Sequence, residues 1–303
     1  MRVFKALAWL ALIVGIVLQL WLKDRHVSWA LMFYALPKPC LIGLAFALAV
    51  DSRRVRWLQQ IAFAAMISLT LWWTMTSYAV GKNEISPTST AKDEVTLLYW
   101  NLCRPNQLDR EAVEMVKELN PHLVAFVEPG KNVSPLLPSY EALLPGYTVA
   151  WMPRGILWLS RVPSRYRERG KLDGAGAYAR FEVNDLGPAF PVVVADVTPH
   201  FFHSREQQLT EALAQSQDRS DSIIVGDFNT PLESAMLDGY RARFANALEV
   251  GGTGFRETWP MGLPLLSIDH VWVGKHWEVI EAKKIWCLTG SDHAAIFVRL
   301  RRR

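Results

Sequence analysis

SIIVGDFN, residues 222–229, reads as a short buried strand that ends in glycine, aspartate and asparagine. Ile223, Ile224 and Val225 are apolar without alternation, which suits a strand covered on both faces. The same rhythm recurs on either side of it. VTLLYWN (95–101), LVAFVE (123–128), YTVAW (147–151), ILWLS (156–160), AYARFEV (177–183) and FPVVVAD (190–196) read as strands, followed later by IDHVWV (268–273) and AAIFVRL (294–300). Amphipathic helices are expected near 108–119 and over SREQQLTEALAQ (204–215), the second with Ser204 as its N-cap. Apolar strands with helices between them predict sheets covered by other layers, an α/β (α+β) class.

Several of these strands end in a residue that is costly to bury. Asn101 follows LLYW, Glu128 follows LVAFV, and Asp227 and Asn229 follow SIIVG. Strand ends converge on one edge of a sheet, and a carboxylate placed there needs something to bind. One such residue alone is more often a turn or helix cap. Carboxylates and amides together, with no His/Cys set at zinc spacing, suit a hard cation, Mg²⁺ or Mn²⁺. Two further segments add a histidine beside an acid, Asp269–His270 and Asp292–His293. A histidine oriented by a second carboxylate is what a general base needs to activate water. His270 points to the opposite side of its strand from Asp269 and reads as a packed or surface residue.

The first 80 residues differ in kind. Apolar runs at 4–22, 28–50 and 58–80 are each near the roughly 20 residues a bilayer-spanning helix needs, so three spans are expected. Lys38, between Pro37 and Pro39, predicts a kink or a re-entrant break in the second. A cleaved signal peptide fits less well, because no small-x-small site follows Leu22. Arg2, Lys5, Arg53, Arg54 and Arg56 outweigh Lys23 and Arg25, which would leave the C-terminal portion outside the cytoplasm, in the periplasm if the membrane is a bacterial inner membrane. A re-entrant Lys38 segment would reverse that. Residues 81–94 read as a polar tether and 95–303 as one folded domain. The net charge of +4 owes much to basic loops and to the tail Arg299, Arg301, Arg302 and Arg303, so it does not argue for nucleic acid. Three cysteines make no disulfide framework, and Cys103 and Cys287 read as half-buried thiols before they read as a bridge.

Taken in order, WN (100–101), FVE ending at Glu128, GDFN (226–229), TWP (258–260), IDH (268–270) and SDH (291–293) resemble the endonuclease/exonuclease/phosphatase superfamily over 95–300. The resemblance implies a four-layer αββα sandwich and hydrolysis of a phosphate ester, and it does not choose the substrate. It implies Glu128 as the principal metal ligand with Asn101 and Asp292 close to the metal, and it places Asp227 and Asn229 beside the scissile phosphate. It also implies that Asp269 orients His293, which serves as base or as a cationic contact to the transition state. One position departs from the pattern: Asp196 stands where many members carry histidine, with His200 and His203 just beyond. His200 taking over the phosphate contact, a changed substrate at Asp196, and reduced activity all remain open. The basic stretch Arg161, Arg165, Arg167, Arg169 and Lys171 could supply a compensating charge or meet lipid headgroups, but reads more readily as a solvated loop. Trp259 reads as packing beneath the site. The expected partners are a lipid bilayer and a phosphate-ester substrate, nucleic acid (an endonuclease) or a lipid-linked phosphodiester. The rival is a non-catalytic binding or sensor module on the same fold.

Overall fold

The computed structural model describes residues 2–81, 94–131, 133–200, 202–287 and 290–303. Most of the expected tether, 82–93, lies outside them. The chain separates into two compact units, Met1–Tyr78 with Glu233–Met236, and Ala79–Leu232 with Leu237–Arg303.

The second unit contains two six-stranded sheets. One runs in the order Phe244–Asn246, Asp269–Gly274, Ile223–Asp227, Phe190–Asp196, Gly176–Val183, Ser164–Leu172. The other runs Trp277–Ile285, Ala295–Arg302, Glu94–Asn101, Leu123–Val127, Ile156–Ser160, Thr148–Met152. Each sheet holds one parallel pair, Phe190–Asp196 with Ile223–Asp227 in the first and Glu94–Asn101 with Leu123–Val127 in the second. A parallel pair needs a crossover, and a helix supplies it both times. Arg205–Ala214 is capped by Ser204, whose Oγ accepts from Gln207 N at 3.1 Å, and Arg110–Leu119 by Asp109, whose Oδ1 accepts from Ala112 N at 3.0 Å.

Alternate residues of the two sheets meet in one core: Val95, Leu97 and Tyr99 from one side, Val192, Val194, Ile223 and Val225 from the other. The intervening residues face outward. Leu98, Trp100, Val124 and Phe126 pack under Ala112, Val113 and Val116 of the crossover helix, while Trp272 meets Tyr240, whose hydroxyl donates to Leu209 O at 2.7 Å. The two-sheet sandwich expected from the sequence is therefore present. Two of the three unexpected edge strands are long, the third being Phe244–Asn246. Ser164–Leu172, the basic stretch read as a loop or patch, is a strand with most of its residues exposed, and Trp277–Ile285 is the other. Charged residues on an edge keep it from pairing with other chains, and they also hide its strand pattern.

The first unit is helical, with Arg2–Val17 continuing into a π-turn at Leu18–Leu22, then Val27–Ala35, Lys38–Asp51 and Arg56–Ser77. The expectation of three spans is not met. By length and composition one helix, Val3–Leu22, can cross a membrane, and Ser28–Ala35 with Lys38–Arg54, bent by 69°, would make a second if the pair is one broken span. The helix Arg56–Ser77 is long enough, but Gln59, Gln60, Ser68, Thr70, Thr74, Thr76 and Ser77 dilute its apolar content. The topology inferred from three crossings no longer follows. The predicted break before Lys38 is present, and Gln19 Nε2 donates to Phe33 O at 2.9 Å and Leu36 O at 3.1 Å, satisfying carbonyls that the interrupted helix leaves open.

Candidate active site

Strand register brings the acids together. Asp269 pairs with Asp227, and Asp227 with Asp196, so three carboxylates stand in one row across adjacent strands. Val271, Val225 and Val194, two residues along from each, belong to the inter-sheet core, so all three acids face the inner side of the sheet at its end. Close strand packing here requires the glycine of GDFN, because a Cβ on Gly226 would stand 1.8 Å from Ala195 O.

Asp269 is 1% exposed and fully engaged. Its Oδ2 meets His293 Nδ1 at 2.9 Å, and its Oδ1 accepts from Tyr99 Oη at 2.8 Å. Thr258 Oγ1 accepts from the Asp269 backbone N–H at 3.2 Å. This is the expected pairing of Asp269 with His293, and it holds the imidazole so that Nε2 is the nitrogen left for chemistry. Asp227, 3% exposed, accepts from Asn101 Nδ2 at 2.9 Å and from Asn229 N at 2.8 Å. Asp227, Asp269 and His293 offer ligand atoms within 4.8 Å of one another.

The residues read as metal ligands are set differently. Asn101 Oδ1 accepts from Cys103 N at 2.9 Å, so Asn101 positions Asp227 and keeps one carbonyl lone pair for a cation. Glu128, one residue past its strand and at φ +51°, is hydrogen-bonded to Arg104. Asp292 Oδ2 accepts from Trp259 Nε1 at 2.7 Å, whereas Asp292 Oδ1 is buried and has no hydrogen-bond partner among the described residues. Asn229 Nδ2 donates to Val197 O at 2.7 Å. His200 is exposed on the loop beyond Asp196. His270 is buried away from the row, with Nε2 at 2.8 Å from Thr230 O. Cys103 and Cys287 are free thiols.

Four supporting residues escaped the sequence reading. Tyr99 lies inside an apolar strand and looked like core, although a buried tyrosine hydroxyl needs a partner. Thr258 and Ser291 stand in the TWP and SDH motifs but were given no role of their own: Ser291 Oγ donates to Asn101 O at 2.6 Å and accepts from His293 N at 3.0 Å. Arg104 is the cation beside Asp196 and Glu128, the role proposed for the stretch Arg161 to Lys171; Arg161 instead donates to Pro121 O. Trp259, read as packing beneath the site, is half-buried and donates to Asp292 Oδ2.

The electrostatics show a site short of positive charge. Burial pushes the Asp227 carboxyl well above its usual range and Asp269 adds to it, while His293 opposes. Asp196 is pushed up to about 7, by burial first and by Glu128 next, against Arg104 and His293. For His293 burial works downward, yet Asp269, Asp227 and Asp292 outweigh it and raise the imidazole to about 10. Elevated carboxyls and a buried Asp292 oxygen without a hydrogen bond, 3.8 Å from His293 Nε2, are the features a hard divalent cation would relieve, and the oxygen-rich donor set fits Mg²⁺ or Mn²⁺.

With this geometry in hand, comparison with known proteins is direct. The Endonuclease/Exonuclease/phosphatase family matches residues 98–293, and the chain belongs to that family. Its members include phosphoric ester hydrolases, and the family is generally dependent on a divalent metal. No curated protein matches the chain in sequence. Among solved structures, an endonuclease/exonuclease/phosphatase from Bacteroides vulgatus is similar at TM-score 0.56 and 13% identity, covering 69% of this chain and 99% of its own. The human Nocturnin catalytic domain with bound sulfate superposes at TM-score 0.53 and 14% identity, over 71% and 96%. D. rerio TDP2 complexed with single-strand DNA product gives 0.52 and 14%, over 69% and 99%. At such identities these structures establish a shared fold.

Proposed function

We propose that this chain is a divalent-metal-dependent phosphoesterase held at a lipid bilayer, cleaving a phosphodiester of nucleic-acid or lipid-linked type by attack of water. The observation that carries the reading is the Asp269–His293 pair standing beside Asp227, with Tyr99 bracing it from the opposite sheet. When bound, the cation lowers the pKa of water and polarises a phosphoryl oxygen. Glu128, Asp292 and the remaining lone pair of Asn101 would hold it. Asp227, kept in place by Asn101 Nδ2, takes the proton at the attacking water or returns one to the leaving oxygen. His293, cationic at neutral pH through Asp269, donates from Nε2 to the phosphate as charge builds there. Asn229, with its backbone N–H on Asp227 and one side-chain N–H on Val197 O, has its second side-chain N–H for a phosphate oxygen.

Bilayer attachment is supported by the apolar residues the helical unit leaves uncovered. Leu7, Leu10, Ile13, Trp21, Ile61 and Leu71 are each at least 50% exposed, more apolar surface than a water-facing helix bundle leaves open.

The test uses the purified full chain with Mg²⁺, Mn²⁺ or EDTA, offered bis-p-nitrophenyl phosphate, plasmid DNA and phospholipid vesicles. Metal-dependent turnover that drops at least a hundredfold in His293→Ala supports the assignment. A folded chain that binds metal and turns over none of these substrates would favour the binding or sensor module.

A further inference from the structure

The row of acids continues beyond Asp196. Asp196 pairs with Ala177, and Ala177 with Lys171 on the edge strand, so the row reads Asp269, Asp227, Asp196, Ala177, Lys171. Ala177 belongs to the inter-sheet core, while Leu172 packs on the outer side near the carbon a side chain on Gly176 would add, beside Gln208. Alternation therefore puts Lys171 on the same face as the three carboxylates. It stands two strands from Asp196, about 10 Å at ordinary strand spacing, with only a methyl group between.

The other sheet contributes from above the same gap. The hairpin between Thr148–Met152 and Ile156–Ser160 brings Gly155 O to accept from Glu128 N at 2.8 Å, and a Cβ on Gly155 would lie 3.9 Å from Asp196 Oδ2. Arg154, next to it, is exposed and held at φ +83°, a backbone conformation that is strained for a non-glycine residue. Neither the Arg154 nor the Lys171 side chain has a hydrogen bond or ion pair among the described residues. The carboxylates near them are occupied elsewhere. Asp173 Oδ2 accepts from Ser204 N at 2.6 Å, and Glu168 takes Tyr178 Oη at 2.9 Å and Arg180 Nη2 at 3.1 Å on the outer face.

Two cations with unpaired side chains, one from each sheet, thus lie on the Asp196 side of the row, Lys171 about 10 Å from Asp196 at ordinary strand spacing. We propose that Arg154 and Lys171 form a subsite for a second phosphate of the substrate, so that the enzyme takes a polynucleotide strand. A phospholipid with a single phosphate would leave this subsite unused. This subsite rests on the phosphoesterase reading for its reaction but not for its binding.

The experiment measures binding of a fluorescein-labelled single-stranded oligonucleotide to the full chain with Ca²⁺ in place of Mg²⁺, over a series of salt concentrations. Wild type is compared with the double variant Arg154→Gln/Lys171→Gln, and both are checked for equal thermal midpoints. The double variant is expected to bind about tenfold more weakly and to lose roughly 0.7 from the slope of log Kd against log salt, the share of one phosphate contact on a single strand. Equal affinity and slope in the two proteins overturns the subsite. So does a wild type that hydrolyses phosphatidylcholine vesicles and does not bind the oligonucleotide, an outcome that leaves the phosphoesterase standing. A wild type that binds through these two residues and cleaves no phosphate ester with any metal retains the subsite and sinks the reaction.

Discussion

The two sheets share a plan, each built around one parallel pair with a crossover helix, yet they present their acids to the site in different ways. In one sheet Asp269, Asp227 and Asp196 sit within the hydrogen-bonded ladder, so neighbouring strands fix each carboxylate. In the other, the ladder ends in Asn101 and Val127, and Glu128 stands one residue beyond it on a left-handed turn, held by Arg104. Acids inside a ladder cannot move apart when their charges repel, so they share protons and a histidine. An acid on a turn keeps the freedom to close on a cation of fixed radius. On the proposed reading the ladder side would move protons and the turn side would hold metal.

The sharpest way to break this contrast is to disable one side at a time. Asp269→Asn should lower kcat/KM by about 10³-fold at saturating metal, since His293 loses the carboxylate that orients it and keeps it cationic. Glu128→Gln should instead raise the metal concentration needed for half-maximal activity, by about 10- to 100-fold, with a smaller loss in kcat. Metal titrations of both variants decide it, and the division of labour fails if Glu128→Gln costs more kcat than Asp269→Asn.

Tyr99→Phe tests whether the second sheet also serves the proton side. Its hydroxyl is the one donor on Asp269 Oδ1 among the described residues, so removal should cost about tenfold in kcat and shift the pH profile. A purely packing role for Tyr99 would leave the profile where it is.

The smallest effect belongs to Asp196→Asn. A carboxyl whose folded-state value is about 7, above its unfolded value near 4, binds more protons folded than unfolded between those limits. Its contribution to stability therefore falls as pH rises through that window. In EDTA, the variant should match wild type at pH 4 and exceed it by about 1–2 kcal/mol at pH 8 in urea unfolding, the figure being discounted for partial exposure. A wild-type stability that is flat from pH 4 to 8 would mean that Asp196 is not strained.

How much of this was legible in the sequence follows the same contrast. An apolar run that ends abruptly in an acid announces itself, so Glu128 and Asp227 could be read from residue order, whereas the pairing of Asp269 with His293 was implied only by the family resemblance. The supports could not. Tyr99 alternates correctly with Leu97 and Val95 as core, and nothing local says that its hydroxyl meets Asp269 across the sandwich. Edge strands such as Ser164–Leu172 carry charges where central strands carry valine, so their pattern matched a loop. In the helical unit the apolar count overstated the spans, because Arg56–Ser77 spends its length on threonine, serine and glutamine as well as leucine and isoleucine.

The helical unit includes four residues from far along the chain, Glu233–Met236. Within that unit Asp24 receives Ser234 Oγ and, at 2.9 Å, the backbone N–H of Ala235, while the buried ammonium of Lys38 meets Glu233 at 2.8 Å. No single cut in the chain therefore separates the helical unit from the hydrolase unit. A gene cut at the linker would deliver a hydrolase whose residues 233–236 have lost the acid and the ammonium they fold against, four residues after the asparagine of GDFN.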